Sequence, residues 1–431
     1  MQARRRAERC HTDSELLTQF HEHGNIKMEN EDTTIKLQNF IDIKKGEYIT
    51  RDKENEGIYP VILGGKEPAY YIDRYNHDGK AIVVSRSGAS AGYVSLWNEK
   101  IFVTDGFLIE PKNNVSYDYI YYFLKSREGV LKLLQGGAAI PHVTPRLLNN
   151  LQINLPPLPT QQKIASILSA YDNLIQNYKK QIEALQTAAS ELYKEWFVRF
   201  RFPGYKDIRM KDSSIGKIPE TFEVKKQNEV IKDYIGGGWG EDEQSEQFSI
   251  EAAVVRGADF PEFTNGDITT CPVRYHKVSN YNSRIIEPEN IVLEVSGGTQ
   301  EQPVGRTVIV SEERLKRFNN KLICASFCKL IKLNKSIISP LFYYYWMQFV
   351  YDTRIIDRYQ LQSTGIINFK FEYFLRKGDV LLPPKDLMNS FEEKVKVIHS
   401  KIEKLAIGIT NLTQQRDLLL PRLMSGKLEV E

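Results

Sequence analysis

With 431 residues the chain has room for two or three domains, and 26% charged with 41% hydrophobic residues is the balance of an ordinary globular protein. Its 58 Lys and Arg against 55 Asp and Glu leave a formal charge of +3, which neither requires nor forbids a polyanionic partner. The four cysteines are too scattered for a disulfide framework or a zinc site, and the longest apolar-aromatic run, from Ser339 to Val350, is too short to span a bilayer; a reducing, cytoplasmic setting without membrane contact is expected.

Taken in order, residues 1–27 are polar and read as a flexible N-terminal tail, and a first domain is expected over 28–157. Within it Ala81–Val84 is β-branched enough for a buried strand, Ser85–Gly92 is a Gly/Ser loop carrying Arg86, and the chain returns as a strand from Tyr93. Ser116–Gln135 reads as a helix capped by Ser116. A spacer helix follows Leu155-Pro156-Pro157 and occupies 158–202; a linker and second domain fill 203–384, and a second spacer helix with a tail fills 385–431.

The two long helices carry the same ladder. Steps of four and three from Ile164 give Leu168, Tyr171, Ile175, Tyr178, Ile182, Leu185, Ala189, Leu192 and Trp196, all apolar or aromatic. The ladder from Phe391 gives Val395, Ile398, Ile402, Leu405, Ile409, Leu412, Arg416, Leu419 and Leu423, with Arg416 the departure. A step averaging 3.5 is the seam of a left-handed coiled coil. The rungs keep a constant difference of 227, and the domains repeat too: Ile82 with Ile291 and Ser87-Gly88 with Ser296-Gly297 at 209, Ser116 with Ser339 at 223, and Ile140–Val143 with Ile366–Phe369 at 226. The growth from 209 to 227 puts 18 extra residues in the second copy, most of them between the equivalents of Gly88 and Ser116. The expected fold is α+β: two mixed α/β domains in tandem repeat, separated by two long helices that form an antiparallel coiled coil.

Catalytic signatures are missing. Pro60 stands where a P-loop ahead of Gly65-Lys66 needs glycine, Gly236–Gly240 lacks dinucleotide spacing, and Glu223-Val224-Lys225 lacks the preceding Pro-Asp of a nuclease. No catalytic triad can be argued from the remaining residues, so neither catalysis, nor a metal, nor a cofactor of its own is expected. Glycine loops flanked by donors suit a polyanion and base edges instead. In the first domain the candidates are Lys66, Arg86, Ser87, Ser90 and His142, with Tyr70 and Tyr71 nearby; in the second they are Arg256, Lys277, Thr299, Gln300, Gln302, Arg306, Asn368 and Lys370, with Arg274 and His276 completing a basic cluster.

At this point a family pattern is recognisable. INLPPLPTQQKIASIL and ELYKEWFVRFRFPGY at the centre, LLLPRLMSGKLEV at the end, and SRSGASAGYV and VSGGTQEQPVGR in the two domains resemble the DNA-specificity subunit of type I restriction-modification enzymes, over about Ile35 to Val430. The resemblance implies two target-recognition domains, each binding one half of a split, asymmetric site on double-stranded DNA. It implies a non-catalytic subunit that assembles with two modification subunits, which bind S-adenosylmethionine and methylate adenine N6, and with two restriction subunits that use ATP and Mg. A rod of about 45 Å between the domains would correspond to roughly 13 base pairs. Pro421, which cannot continue a regular helix, and Arg416 are the departures. An enzyme with an unrecognised site, and a coiled-coil adaptor that binds no DNA, are the alternatives.

Overall fold

The computed structural model describes residues 35–50, 55–65, 67–112, 114–133, 142–299, 302–363 and 366–430. By its internal contacts the chain divides into two units, residues up to Tyr171 together with 415–431, and residues 172–414.

The first unit contains β1 (Ile41–Lys45), β2 (Glu56–Ile62), β3 (Tyr71–Ile72), β4 (Lys80–Ser85), β5 (Val94–Asn98), β6 (Phe102–Val103), β7 (Gly106–Pro111) and helix α1 (Tyr117–Ser126). They form a four-stranded antiparallel sheet in the order β1-β7-β4-β5 and a three-stranded sheet in the order β3-β2-β6, in which β2 and β6 run parallel. β4 is an unbroken apolar run because both of its faces are covered. Ile82 and Val84 pack with Tyr119, Ile120 and Phe123 of α1, while Ala81 and Val83 pack with Ile62, Ile101 and Val103. Ser116 caps α1, its side chain accepting from the Tyr119 amide. Helix α2 (Leu158–Tyr193) follows, anchored at its start by Gln161, whose Oε1 accepts from the Ser116 amide at 2.8 Å.

The second unit repeats the plan. β8 (Ile231–Gly236), β9 (Ile250–Val255), β10 (Val273–His276), β11 (Ile291–Glu294), β12 (Thr307–Ile309), the short helix α3 (Glu312–Arg317), β13 (Leu322–Cys324), β14 (Cys328–Leu333) and helix α4 (Pro340–Asp352) follow in order. The sheets run β8-β14-β11-β12 and β10-β9-β13, with β9 and β13 parallel, which is the first unit's order strand for strand. The extra residues lie where the offset grows. Thr104 donates to the Ile62 carbonyl as Ala325 does to that of Val255, an offset of 255 − 62 = 193. At the ends of β4 and β11 it is 294 − 85 = 209, so a further insertion precedes those counted from the sequence. The added residues are divided by β10, with the helix Phe260–Thr264 before that strand and the helix Val278–Arg284 after it.

Glycines mark where the two copies are tightest. Gly46 donates to the Gly106 carbonyl as Gly237 does to that of Cys328. A Cβ on Gly46 would meet the carbonyl oxygens of Val103 and Thr104, and one on Gly237 those of Cys324 and Ala325. Gly237→Ala is therefore expected to destabilise the second unit by about 1–3 kcal/mol. Gly129→Ala, in a short helix with open space beyond the Cα, should be neutral or stabilising by about 0.5–1 kcal/mol. Urea midpoints of the two variants check this, and equal midpoints would show that the strand at Gly237 has room to move.

The long helices are α2 and α5 (Lys385–Met424). Every rung of both ladders is buried or half-buried, and Ile164, Leu168, Ile182, Phe391, Val395 and Ile402 are essentially inaccessible. In the first unit Ile164 and Leu168 share a core with Leu420 and Leu423. In the second, Ile182 clusters with Ile402 and Leu405, Gly408 faces the Tyr178 ring, and Tyr193 meets Phe391 at 5.9 Å between ring centroids. Rising numbers on one helix thus meet falling numbers on the other. Two sequence expectations are corrected at the helix ends. α2 stops at Tyr193 and closes in a π-turn, Lys194–Val198, around buried Trp196 and Phe197. α5 continues through Pro421 to Met424, because burial of Leu420, Leu423 and Met424 holds the last turn despite the missing amide.

A polar clamp fixes α5 to the sheet domain of the second unit. Arg314 of α3 pairs with Glu403 at 2.6 Å, both nearly buried; Arg317 donates to the Gly266 carbonyl at 2.6 Å and to Thr410 Oγ1 at 3.3 Å. Beside it the Tyr345 hydroxyl is 2.9 Å from Nε2 of His399. Burial, with Arg314 adding to it, pushes that imidazole down to about 4. Among the described residues no helix is long and apolar enough to cross a membrane, and no His/Cys/Asp/Glu cluster could hold a metal.

Candidate nucleic-acid interface

The loops that leave β4 and β11 are built on one hydrogen-bond frame. The Ser85 amide donates to the Tyr93 carbonyl and Gly92 returns a bond to Ser85, while Glu294 donates to Arg306 and Gly305 returns one to Glu294, all at 2.9–3.1 Å. Next along, Val143 donates to the Arg86 carbonyl at 2.9 Å as Phe369 does to that of Val295 at 2.8 Å. Ser87 pairs with His142, and Ser296 with Asn368. Position by position, Ser87 corresponds to Ser296 and His142 to Asn368.

This frame corrects one reading of the sequence. Arg86 and Arg306 lie in the same loop but at opposite ends of it: Arg86 stands where the second unit has Val295, and Arg306 where the first has Tyr93. Their surroundings differ as well. Arg86 Nε lies 2.8 Å from Asp105 Oδ1, with both side chains partly exposed, and Ser87 Oγ donates to Oδ2 of the same carboxylate. Arg306 gives Nε and Nη2 to the two oxygens of buried Glu294 at 2.8 and 2.7 Å, which holds its guanidinium charged. Arg256 likewise forks onto buried Asp259 and donates to the Thr270 carbonyl. Both second-unit arginines are thereby committed to holding their loops.

The other candidates are distributed as follows. Lys66 and Gln300 lie outside the described residues. His142, Lys277, Thr299, Gln302 and Lys370 are exposed, and Ser87, Ser90 and Asn368 are half-buried. Thr299 Oγ1 accepts from the Gln302 amide at 3.0 Å, closing the loop tip, and Ser296 Oγ donates to Asn368 Oδ1 at 2.7 Å. Lys277 sits 5.1 Å over the Phe248 ring. The basic cluster read around it breaks up. Arg274 pairs with Asp242 and stacks on Trp239, and His276 is fully buried, so that burial lowers its basicity.

Beside Arg86 the first unit has a concavity of about 420 Å³ bordered by Ile43, Lys45, Phe107, His142 and Pro145. The strand registers put Tyr234 in the place of Ile43 and Lys329 in that of Phe107, and the loop offset puts Phe371 in that of Pro145. There the rings of Tyr234 and Phe371 touch at 4.8 Å with Lys329 Nζ 4.8 Å from the latter, so the equivalent space is filled. Asp105, Lys45 and Phe327 escaped the sequence reading. The offset of 222 between Asp105 and Phe327 is visible in β7 and β14, but nothing in the sequence says that it faces the Arg86 loop.

Residues 29–187 match the family model described as the type I restriction modification DNA specificity domain. The chain is 26% identical over 450 residues to the type I restriction enzyme MjaVIII specificity subunit of Methanocaldococcus jannaschii, with 96% of each chain covered. It is 26% identical over 367 residues to the MjaIX specificity subunit of the same organism, covering 82% of this chain and 78% of that one. The crystal structure of a type-I restriction-modification system S subunit from M. genitalium aligns over 93% of this chain and 98% of its own, at 17% identity and a TM-score of 0.53, a likeness of fold.

Proposed function

We propose, from the chain's place in the type I restriction-modification DNA-specificity family, that it is the subunit that reads DNA for such a system. Each unit reads one half of a split, asymmetric site. α2 and α5 pair as an antiparallel coiled coil whose length sets the spacing between the halves. The chain itself catalyses nothing; two modification subunits supply S-adenosylmethionine-dependent methylation of adenine, and two restriction subunits supply the ATP- and Mg-dependent steps.

The observation that carries this reading is the repeated loop frame with unlike side chains: Arg86, Asp105 and His142 in one copy, Val295, Phe327 and Asn368 in the other. One frame carrying two sets of groups suits two different short targets. Sequencing of methylated adenines in cells expressing the chain with its modification subunit should reveal one split site. Methylation at a contiguous site, or none that depends on the chain, would overturn the reading.

The outer flanks of the helices supply a partner surface. Val397, Leu418, Leu174 and Ile167 are 70%, 63%, 40% and 36% exposed, and all lie off the seam. Val397→Asp with Leu418→Asp should abolish co-purification with the modification subunit while leaving the chain's helical circular dichroism intact. Undiminished co-purification would place that subunit elsewhere.

A further inference from the structure

Arg86 is held differently from the other loop arginines. Arg256 and Arg306 each spend a fork of two nitrogens on one buried carboxylate, whereas Arg86 meets Asp105 through an ion-pair contact of Nε that forms no hydrogen bond. Among the described residues nothing else occupies its two terminal nitrogens. The carboxylate itself is fixed, because Ser87 Oγ donates to its other oxygen and the Arg86 amide donates to the Asp105 carbonyl at 3.2 Å. The Val143 amide and the Ser87–His142 pairing fix the same two residues from the opposite side.

A guanidinium that turns its Nε edge to a carboxylate presents Nη1 and Nη2 as two parallel donors. Two acceptors side by side occur on a phosphate and on the O6/N7 edge of guanine. Two observations favour the base. The Asp105 carboxylate cancels the charge of Arg86, which removes most of the attraction for a phosphate and leaves the hydrogen-bonding fork intact. Moreover, the matching positions of the second unit are Val295 and Phe327, the latter 67% exposed. A phosphate anchor would serve both halves alike, since every sequence has the same backbone; a base reader differs between them.

We propose that Asp105 is a specificity-determining positioning residue, which presents Arg86 to a guanine in the half-site read by the first unit. The proposal rests on the DNA-specificity reading and narrows it to one base. In the second unit Phe327 and Val295 offer that place an apolar surface, so no guanine is read there by this device.

The test uses the full complex with its modification subunit and duplex libraries randomised in each half-site. In the wild type one guanine of one half should be required. Asp105→Asn should relax that position roughly tenfold, the scale of one bidentate base contact, and should leave the other half unchanged. In an Arg86→Ala background the same Asp105→Asn change should add nothing, whereas a structural role would persist. Replacing that guanine by 7-deazaguanine, which lacks the N7 acceptor, should weaken wild type and spare Arg86→Ala. Uniform weakening by Asp105→Asn, relaxation at a base other than guanine, or an effect undiminished in the Arg86→Ala background each overturns the proposal. A split site that ignores Asp105→Asn sinks this proposal alone; the absence of any split site sinks the specificity reading and this proposal together.

Discussion

Arg306→Ala should destabilise the second unit by about 3–5 kcal/mol, the cost of leaving one partner of a buried ion pair behind. Glu294, 5% exposed, would be stranded between Gly257, against which its carboxylate packs, and the space left by the guanidinium. At about 2–4 °C per kcal/mol for a unit of this size the melting temperature falls by roughly 6–20 °C. Arg86→Ala provides the contrast. Its ion pair with Asp105 is partly exposed, so the stability cost should stay within about 1 kcal/mol while recognition of the first half-site is lost. The double change Glu294→Ala with Arg306→Ala should cost less than the sum of its parts, since no charge is then left unpaired. Calorimetry of these three variants and of Glu294→Ala alone decides. If Arg306→Ala melts like wild type and relaxes one base of the second half-site, Arg306 is a reader and its pairing with Glu294 is incidental.

A heptad inserted into both long helices should lengthen the gap between half-sites by about three base pairs and leave both half-site sequences unchanged. Seven residues add ~10 Å, against about 34–36 Å for 10–10.5 base pairs. The clamp decides where the heptad can go. Glu403, Ala406 and Thr410 touch Arg314, Gly266 and Arg317, while His399 meets Tyr345. An insertion after Ile402 would pull these contacts apart. Inserted after Ile175 and after Leu412, it clears the clamp and keeps both ladders in phase. Three base pairs also rotate the DNA by roughly 100°, so affinity should fall as the duplex twists to compensate. A two-residue insertion, which breaks the ladder, should abolish assembly. Methylated-adenine sequencing reads the outcome; an unchanged spacer would mean that the helices do not measure the distance.

The parts of this structure that depend on one-dimensional periodicity were legible in the sequence. The ladder through Ile164, Ile182, Phe391 and Ile402 marks residues that are buried, because burial along a helix seam follows chain spacing alone. The offset of 209 likewise aligned Ser87 with Ser296, since β4 and β11 lead into their loops in the same way. Beyond that the alignment failed within a few residues. The loop takes seven steps from Ser85 to Gly92 and eleven from Glu294 to Gly305, which moved Arg306 out of correspondence with Arg86. Which acid grips which arginine was hidden for the same reason. Asp105 reaches Arg86 from the bend before β7, and Glu294 reaches Arg306 across a loop, so neither pairing has a fixed sequence spacing. Pro421 misled because its local cost is outweighed by the burial of its neighbours.

The half-buried His399 also makes the second unit sensitive to acid. Its imidazole titrates near 4 in the folded chain against 6.5 as a free group, held down first by burial and then by Arg314. Between those two values an unfolded chain accepts a proton that the folded one refuses. The stability from this group is complete above pH 6.5 and is lost as the pH falls toward 4, by ~3 kcal/mol at the lower end. Urea midpoints should therefore drop between pH 7 and pH 4.5, and His399→Gln should flatten that part of the profile. An equally steep profile in the variant would put the responsible group elsewhere. Acid would then act on the seat of α5 against the sheet domain of the second unit, where Tyr345 and His399 meet.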